Sequence, residues 1–276
     1  MKIILPIDFS DNSLNALDFA IALAGKRDGE IILVHVIEAV FDFASQASVA
    51  MESMHRDAET LMQKTVEKHR DSTLKFTTII KEGTASISVA RLARDINATL
   101  IVMGTQGASG IKVALIGSTT INLIKESSVP VLVVPAESNA TEIRKVALAL
   151  EFATHEEKFI DWVIDMSKRW ERGVEFVHVQ TANDFEEEPG IKKLENFIAT
   201  HHPGLPVKIH TFYAKTPVEG LDQFLEENEN VILVMCHEHK NLWEQVLSRR
   251  LHFSPILSIS FSLIALIDVI PPPLKW

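Results

Sequence analysis

A glycine-rich segment in the first half of the chain has residue types suited to holding an anion. It runs from Met103 to Thr119 and reads MGTQGASGIKVALIGST. Glycines let the main chain reach positive φ and approach a ligand closely, and amides at the start of a following helix carry a positive partial charge. Ser118 and Thr119 add hydroxyl donors. The segment predicts a phosphate-binding loop, although glycines alone fit a purely structural turn equally well.

Two other short segments are expected to reach the same place. Asp8 follows the apolar run 2–7, and Val36 lies near the end of the apolar run 31–37. Ligands of open parallel sheets bind beyond the carboxyl ends of the strands, so these two residues and the glycine loop should line one cleft. The alternatives are a helix-capping turn residue for Asp8 and a plain core position for Val36. We interpret His35, which lies within the apolar run, as a packed core histidine and not a proton carrier.

Strands and helices alternate along the segments that would position these residues. Short apolar runs predict buried strands, and longer amphipathic runs predict helices. The predicted strands cover residues 2–7, 31–37, 76–80, 99–103 and 129–134, and the predicted helices cover residues 14–24, 51–69, 86–96 and 117–127. This order predicts a five-stranded, doubly wound parallel sheet.

The second half of the chain repeats the pattern at low identity. Residues 145–152 fall 143 positions after residues 2–9, and further on the offset becomes 132. Such a repeat indicates two units of one architecture, separated by a short polar linker near residues 136–142. We therefore predict an α/β protein of two tandem doubly wound parallel five-stranded sheets, with domains at 1–138 and 143–276. The last strand is either 255–259 or 263–269, a choice that the sequence leaves open.

The spacing of the glycines narrows the choice of function. The pattern Gly104-x2-Gly107-x9-Gly117-Ser118 is neither the GxxxxGK[ST] loop nor the dinucleotide GxGxxG loop. Together with PIDFS at 6–10 and LVHV at 33–36, it closely resembles the nucleotide-binding pattern of the universal stress protein family over residues 1–135. The resemblance implies a dimer-forming, Rossmann-like fold of the adenine nucleotide alpha hydrolase-like type that binds ATP, with or without Mg²⁺.

The same resemblance assigns roles to individual residues. Asp8 would bond the ribose or adenine end, Ile7 and Val36 would line the base, and the glycine loop would hold the phosphates. The residues expected to contact the nucleotide are Pro6, Ile7, Asp8, Val36, Met103, Gly104, Gly107, Gly117, Ser118 and Thr119.

The second half departs from this pattern at the positions that matter. Glu151 replaces Asp8, and at the offset of 132 the residues matching Gly104, Gly107, Gly117 and Ser118 are Cys236, His239, Arg249 and Arg250. Side chains would fill the space that a polyphosphate needs, so no ATP is expected in the second domain.

Other ligands of the second domain are weighed against plainer readings. Cys236, His239 and His178, with Glu151 and His237 nearby, have side chains suited to zinc. Adjacent residues after a strand usually point in different directions, so we prefer a polar loop end over a metal site. Arg249 and Arg250 could receive a small anion, but a solvated arginine pair is the preferred interpretation.

Composition excludes several classes of partner. The formal net charge of -10 and the lack of a clustered basic stripe disfavour nucleic acid. The apolar stretch 255–270 is too short to span a membrane, and the single cysteine excludes an internal disulfide. No signal-peptide pattern opens the sequence, so we expect a cytoplasmic protein.

Three function classes follow. The leading hypothesis is a regulatory ATP-binding protein of the stress response, with nucleotide in the first domain only. The alternative is a slow ATPase or nucleotidyl-transfer enzyme, although no catalytic base is apparent. The third is an interaction module in which residues 129–134 pair as an edge strand within the chain or in a homodimer.

Overall fold

The chain divides into two compact units, residues 1–136 and 137–276. The computed structural model describes residues 1–25, 28–38, 44–105, 117–136, 138–152, 157–181, 187–236 and 261–266. The segment predicted as a linker belongs to the second unit, where Ala140 and Ile143 are buried. Asn139 also closes a local turn, because its Oδ1 accepts a hydrogen bond from the Thr141 amide at 3.0 Å. Ala140 and Ile143 are thus packed in the second unit, whereas Asn139 and Thr141 are exposed residues of this turn.

The first unit contains the predicted doubly wound sheet. Its strands are β1 Lys2–Pro6, β2 Glu30–Ile37, β3 Lys75–Glu82, β4 Leu100–Gly104 and β5 Val131–Val134, and its helices are α1 Asp11–Ala24, α2 Ala44–Lys68, α3 Ala85–Asp95 and α4 Ser118–Glu126. All strand pairs are parallel, in the order β3-β2-β1-β4-β5. The direction of winding changes between β1 and β4, which is where open sheets of this kind bind ligands.

Local sequence explains where helix α1 begins and ends. Ser10 is its N-cap, and the Ser10 hydroxyl oxygen accepts a hydrogen bond from the Ser13 amide at 3.3 Å. Gly25 ends the helix at φ 64°, a left-handed conformation that glycine adopts without a steric penalty. Helix α2 begins at Ala44, seven residues before the predicted start at Met51. Its first residues, ASQASVA, are mostly alanine and serine, so they lack the large apolar side chains on which the prediction relied.

The second unit repeats the architecture. It contains β6 Lys145–Leu150, α5 Glu157–Arg169, β7 Gly173–Gln180, α6 Glu187–His201, β8 Ile209–Tyr213, α7 Pro217–Glu227, β9 Val231–Cys236 and β10 Phe261–Leu266. Its strands are parallel in the order β10-β9-β6-β7-β8. The prediction of two five-stranded parallel sheets is therefore confirmed.

The last strand matches one of the two predicted positions. Strand β10 overlaps 263–269, and residues 263–266 lie 132 positions after the β5 residues. The alternative at 255–259 lies outside the described residues. The repeat offset was therefore the better guide to this strand. Among the described residues, no helix is long and apolar enough to cross a membrane.

Candidate functional site

A cleft of about 450 Å³ opens at the carboxyl ends of β1, β2 and β4. The residues lining it are Pro6, Ile7, Asp8, Ser13, Val34, His35, Val36, Glu38, Ala85, Met103, Gly104, Gly117, Ser118, Thr119 and Thr120. Nine of the ten residues predicted to contact a nucleotide are among them, and the tenth, Gly107, lies outside the described residues. The volume falls within the range usual for small-molecule sites, roughly 300–1,000 Å³.

Asp8 lies in the turn that leaves β1, with its side chain exposed at the cleft. Its Oδ1 accepts hydrogen bonds from the Ser10 amide at 3.1 Å and from the Ser10 hydroxyl at 2.5 Å. Asp8 therefore supports the turn before α1, as the plainer reading expected, and also lines the cleft. The two roles use the same carboxylate.

The end of β2 contributes two side chains to the cleft, Val36, which was predicted to line it, and His35, which was not. Val36 is half-buried, and so is His35, whose Nδ1 donates a hydrogen bond to the Ile7 carbonyl oxygen at 2.7 Å. The interpretation of His35 as only a packed core residue is incomplete, because it lines the cleft. The strand-end argument applied to Val36 also covers its neighbour and could have included it.

Glu38 ties the end of β2 to the start of α3. Its carboxylate accepts a hydrogen bond from the amide of Ala85, the first residue of α3. A carboxylate at a helix N-terminus is stabilised by the partial positive charge of the free amides. Glu38 and Ala85 both line the cleft, so this contact fixes one part of its rim.

The two described glycines of the loop act differently from the prediction. Gly104 lies against α1, where a Cβ would stand 2.9 Å from the Asn12 carbonyl oxygen. Gly117 is the N-cap of α4 at φ -62° and ψ 145°. Neither residue has positive φ, so the expectation of left-handed glycines is wrong at both positions. Gly104 allows close packing of α1, and Gly117 leaves the helix end without a capping side chain.

The start of α4 supplies the groups that could hold an anion. The first amides of an α-helix have no acceptor within the helix and carry a positive partial charge. Ser118 and Thr119 are exposed there, whereas buried Thr120 donates its hydroxyl to the Gly104 carbonyl oxygen at 3.2 Å. The described lining contains no lysine or arginine. Among the described lining residues, the groups suited to binding an anion are therefore the amides and hydroxyls at the start of α4.

In the second unit the residues that match Ile7, Phe9 and His35 are packed against their own surroundings. His178 is buried, and its Nδ1 donates to the Leu150 carbonyl oxygen at 2.9 Å. Phe152 packs so closely on Gly190 that a Cβ there would stand 2.4 Å from the phenyl ring. A cavity of about 30 Å³ lies beside Phe152 and Gly190 and is lined by α5 and α6, whereas residues 237–250, which match the glycine loop, lie outside the described residues.

The zinc hypothesis receives no support from the described residues. Within them, no three histidine, cysteine or acidic side chains gather closely enough to hold a metal ion. The ring of His178 lies 4.6 Å from that of Phe152, as in an ordinary packed core. The Cys236 side chain, together with His237, His239, Arg249 and Arg250, lies outside the described residues.

Comparison with known proteins identifies relatives of both the sequence and the fold. Residues 1–135 match the sequence model of the universal stress protein family. A universal stress protein of Methanocaldococcus jannaschii is 31% identical over 137 residues, covering 48% of this chain and 81% of that protein. One from Bacillus subtilis is 28% identical over 144 residues, covering 48% of this chain and 97% of that protein.

A solved structure resembles the whole chain. The crystal structure of a universal stress protein from Archaeoglobus fulgidus has a TM-score of 0.76 and covers 96% of this chain and 97% of that one, at 20% identity. At that identity the likeness concerns the fold. It extends across both units, which agrees with a tandem arrangement.

Proposed function

The chain belongs to the universal stress protein family, and from this premise we propose that its first unit binds ATP in the cleft and thereby serves a regulatory role in the stress response. One observation carries the proposal. Nine residues expected from sequence to touch a nucleotide come from separate segments and line a single cleft of about 450 Å³. They lie where the direction of winding changes, the place at which open parallel sheets bind their ligands.

The proposed orientation of ATP follows from the chemistry at each end of the cleft. Buried Ile7 and half-buried Val36 offer apolar contact to the adenine base. The exposed carboxylate of Asp8 can accept hydrogen bonds from ribose hydroxyls or from the adenine amino group. The phosphates would meet the first amides of α4 and the hydroxyls of Ser118 and Thr119. Gly117, the N-cap of α4, adds no side chain beside these amides.

We propose that one ATP binds per chain, in the first unit only. The restriction rests on the sequence, in which larger side chains replace the small residues of the glycine loop at the matching positions. Arginines at positions 249 and 250 would add bulk where the first unit has Gly117 and Ser118.

A binding role is preferred over an enzymatic one because both carboxylates of the described cleft lining already accept hydrogen bonds within the protein. Asp8 accepts hydrogen bonds from Ser10, and Glu38 accepts one from the Ala85 amide. The Nδ1 of His35 donates to the Ile7 carbonyl oxygen, which ties this ring to the turn that leaves β1. We expect ATP to be retained without rapid hydrolysis. Self-association through residues 129–134 stays a prediction from the sequence.

The test measures bound ATP and released phosphate for the full-length chain and two variants. Gly117→Arg places at the N-cap of α4 the side chain that the second half carries naturally. Gly173→Arg is the matched control, since Gly173 is exposed at the start of β7 and the nearest atoms to a Cβ there are 3.9 Å away. We expect one ATP per chain for wild type and for Gly173→Arg, and none for Gly117→Arg.

Each outcome decides a part of the proposal. Absence of ATP binding by the wild type, or equal binding by Gly117→Arg, would overturn the site. Two ATP molecules per chain would contradict its restriction to the first unit. Steady phosphate release by the wild type that Gly117→Arg lacks would replace the regulatory role with a slow ATPase.

A further inference from the structure

The two units share a small arrangement at the end of their first strands. In the first unit His35 donates from Nδ1 to the Ile7 carbonyl oxygen at 2.7 Å, and the Phe9 ring lies 4.9 Å from the imidazole. In the second unit, 143 positions later, His178 donates to Leu150 at 2.9 Å, and the Phe152 ring lies 4.6 Å away. The arrangement thus survives although the surrounding sequences have diverged.

Both phenylalanines hold a backbone conformation that a bulky residue rarely adopts. Phe9 has φ 62° and Phe152 has φ 60°. Strained residues of this kind persist when the surrounding structure fixes them. The histidine supplies two such restraints, a hydrogen bond to the carbonyl two residues before the phenylalanine and a contact with its ring. The histidine therefore helps to hold the turn that leaves the first strand.

The surroundings of this turn differ between the units. In the second unit His178 is 6% exposed and the turn closes against Gly190, so the arrangement is part of a packed core. In the first unit the turn presents the exposed carboxylate of Asp8 to the cleft, which His35 also lines. There the geometry of the turn can affect a ligand that occupies the cleft.

We propose that His35 is a positioning residue for the nucleoside end of the cleft. By holding the Ile7 carbonyl oxygen, it fixes the peptide that joins Ile7 to Asp8 and so sets where the Asp8 carboxylate meets the ligand. Nδ1 is the nitrogen that carries this role, because it donates the hydrogen bond. The inference rests on the proposed binding of ATP by this cleft.

Two amide substitutions separate the role of Nδ1 from that of a polar side chain in general. In His35→Asn the amide nitrogen is attached to Cγ, as Nδ1 is in histidine, so a donor remains near the Ile7 carbonyl. In His35→Gln the amide nitrogen lies one bond further out, near the place of Nε2. We expect ATP affinity to fall about tenfold in His35→Gln and to stay within about threefold of wild type in His35→Asn, the difference that one hydrogen bond makes.

A double substitution tests whether His35 acts through Asp8. If it does, the fold-increase in the dissociation constant of ATP in the double variant His35→Gln, Asp8→Asn should be much smaller than the product of the two single fold-increases. His178→Gln is the matched control, since it breaks the same hydrogen bond in the unit where we expect no ATP. It should lower the stability of the second unit and leave ATP affinity unchanged. Circular dichroism verifies that each variant is folded.

The outcomes keep this inference apart from the proposed function. If the wild type binds no ATP, the proposed function fails and the inference fails with it. If the wild type binds ATP but His35→Gln binds it equally well, or His35→Asn is as weak as His35→Gln, the positioning role is overturned alone. Fully multiplicative effects of His35→Gln and Asp8→Asn would overturn it as well.

Discussion

Gly104 lies so close to Asn12 that a Cβ at position 104 would stand 2.9 Å from the Asn12 carbonyl oxygen and 3.1 Å from its carbonyl carbon. Gly104 ends β4, and Asn12 lies in the first turn of α1. The approach brings the start of α1 down onto the sheet beside the cleft. The glycine is therefore required by the packing of α1, in addition to any contact with a ligand.

Replacement of Gly104 by alanine should test this packing. The new Cβ would meet backbone, which cannot move aside as a flexible side chain can, so we expect the free energy of unfolding to fall by about 1–3 kcal/mol. Urea denaturation followed by circular dichroism measures the change. Gly173→Ala is the control, because the nearest atoms to its Cβ are 3.9 Å away, and it should change stability by less than about 0.5 kcal/mol. Equal effects of the two substitutions would show that the contact with Asn12 is unimportant.

Gly104 also illustrates which features the sequence could predict. The strands were predictable because short apolar runs such as 100–103 are buried on both faces of a parallel sheet. The convergence of Asp8, Val36 and Ser118 followed from the rule that ligands bind at the carboxyl ends of strands. The reason for the glycine did not follow, because Asn12 is 92 residues away and its distance depends on how α1 packs.

Contacts between distant side chains were missed for the same physical reason. The hydrogen bond from His35 to Ile7 and the packing of Phe152 on Gly190 join residues on different elements. Neither leaves a periodic signal in the sequence. The first turns of α2 were missed because residues 44–50 have no helical apolar period. The periodicity of the sequence thus identified the helices and strands and the edge of the sheet at which the cleft lies. The contacts between side chains at that edge could be found only from the three-dimensional structure.

A second glycine contact should set the stability of the second unit. Gly220 lies in α7, and a Cβ there would stand 2.4 Å from Cγ1 and 2.7 Å from Cγ2 of Val179 on β7. Alanine favours a helix over glycine by about 1 kcal/mol. The steric overlap should outweigh this gain in helix propensity, because both methyl carbons of Val179 lie within 3 Å of the position of the new Cβ. We therefore expect Gly220→Ala to lower the free energy of unfolding by about 1–3 kcal/mol.

Removal of the valine methyl groups should relieve the overlap. In the double variant Gly220→Ala, Val179→Ala the loss of stability should be smaller than the sum of the two single losses by about 1 kcal/mol or more. Tryptophan emission during urea denaturation is a suitable measurement, since all four tryptophans lie in residues 137–276 and both Trp162 and Trp170 are buried. Strictly additive losses would contradict the assigned contact.

Acid should weaken the second unit through the carboxylate of Glu175. It accepts hydrogen bonds from Lys145 at 2.8 Å, Lys208 at 3.0 Å and His210 at 2.8 Å, and its side chain is 14% exposed. Burial alone would raise the pKa of Glu175, but these hydrogen bonds outweigh it and lower the pKa to about 2 from an ordinary value of 4.5. A carboxyl whose pKa is lower in the folded chain stabilises the fold above its unfolded pKa. That stabilisation is lost as the pH falls from 4.5 toward 2.

Glu175→Gln should remove this pH-dependent contribution. We expect it to lower the free energy of unfolding by about 2–3 kcal/mol at pH 7, because it removes the charge that three hydrogen-bonded donors share. The difference from wild type should fall to less than about half of that value at pH 3. Tryptophan emission during urea denaturation at both pH values measures it. Glu157→Gln is the control in the same unit, because the side chains of the ion pair between Glu157 and Lys193 are 49% and 53% exposed and the pair should contribute less than about 1 kcal/mol. A stability difference for Glu175→Gln that stays constant between pH 7 and pH 3 would mean that the ionised carboxylate is not what stabilises this cluster.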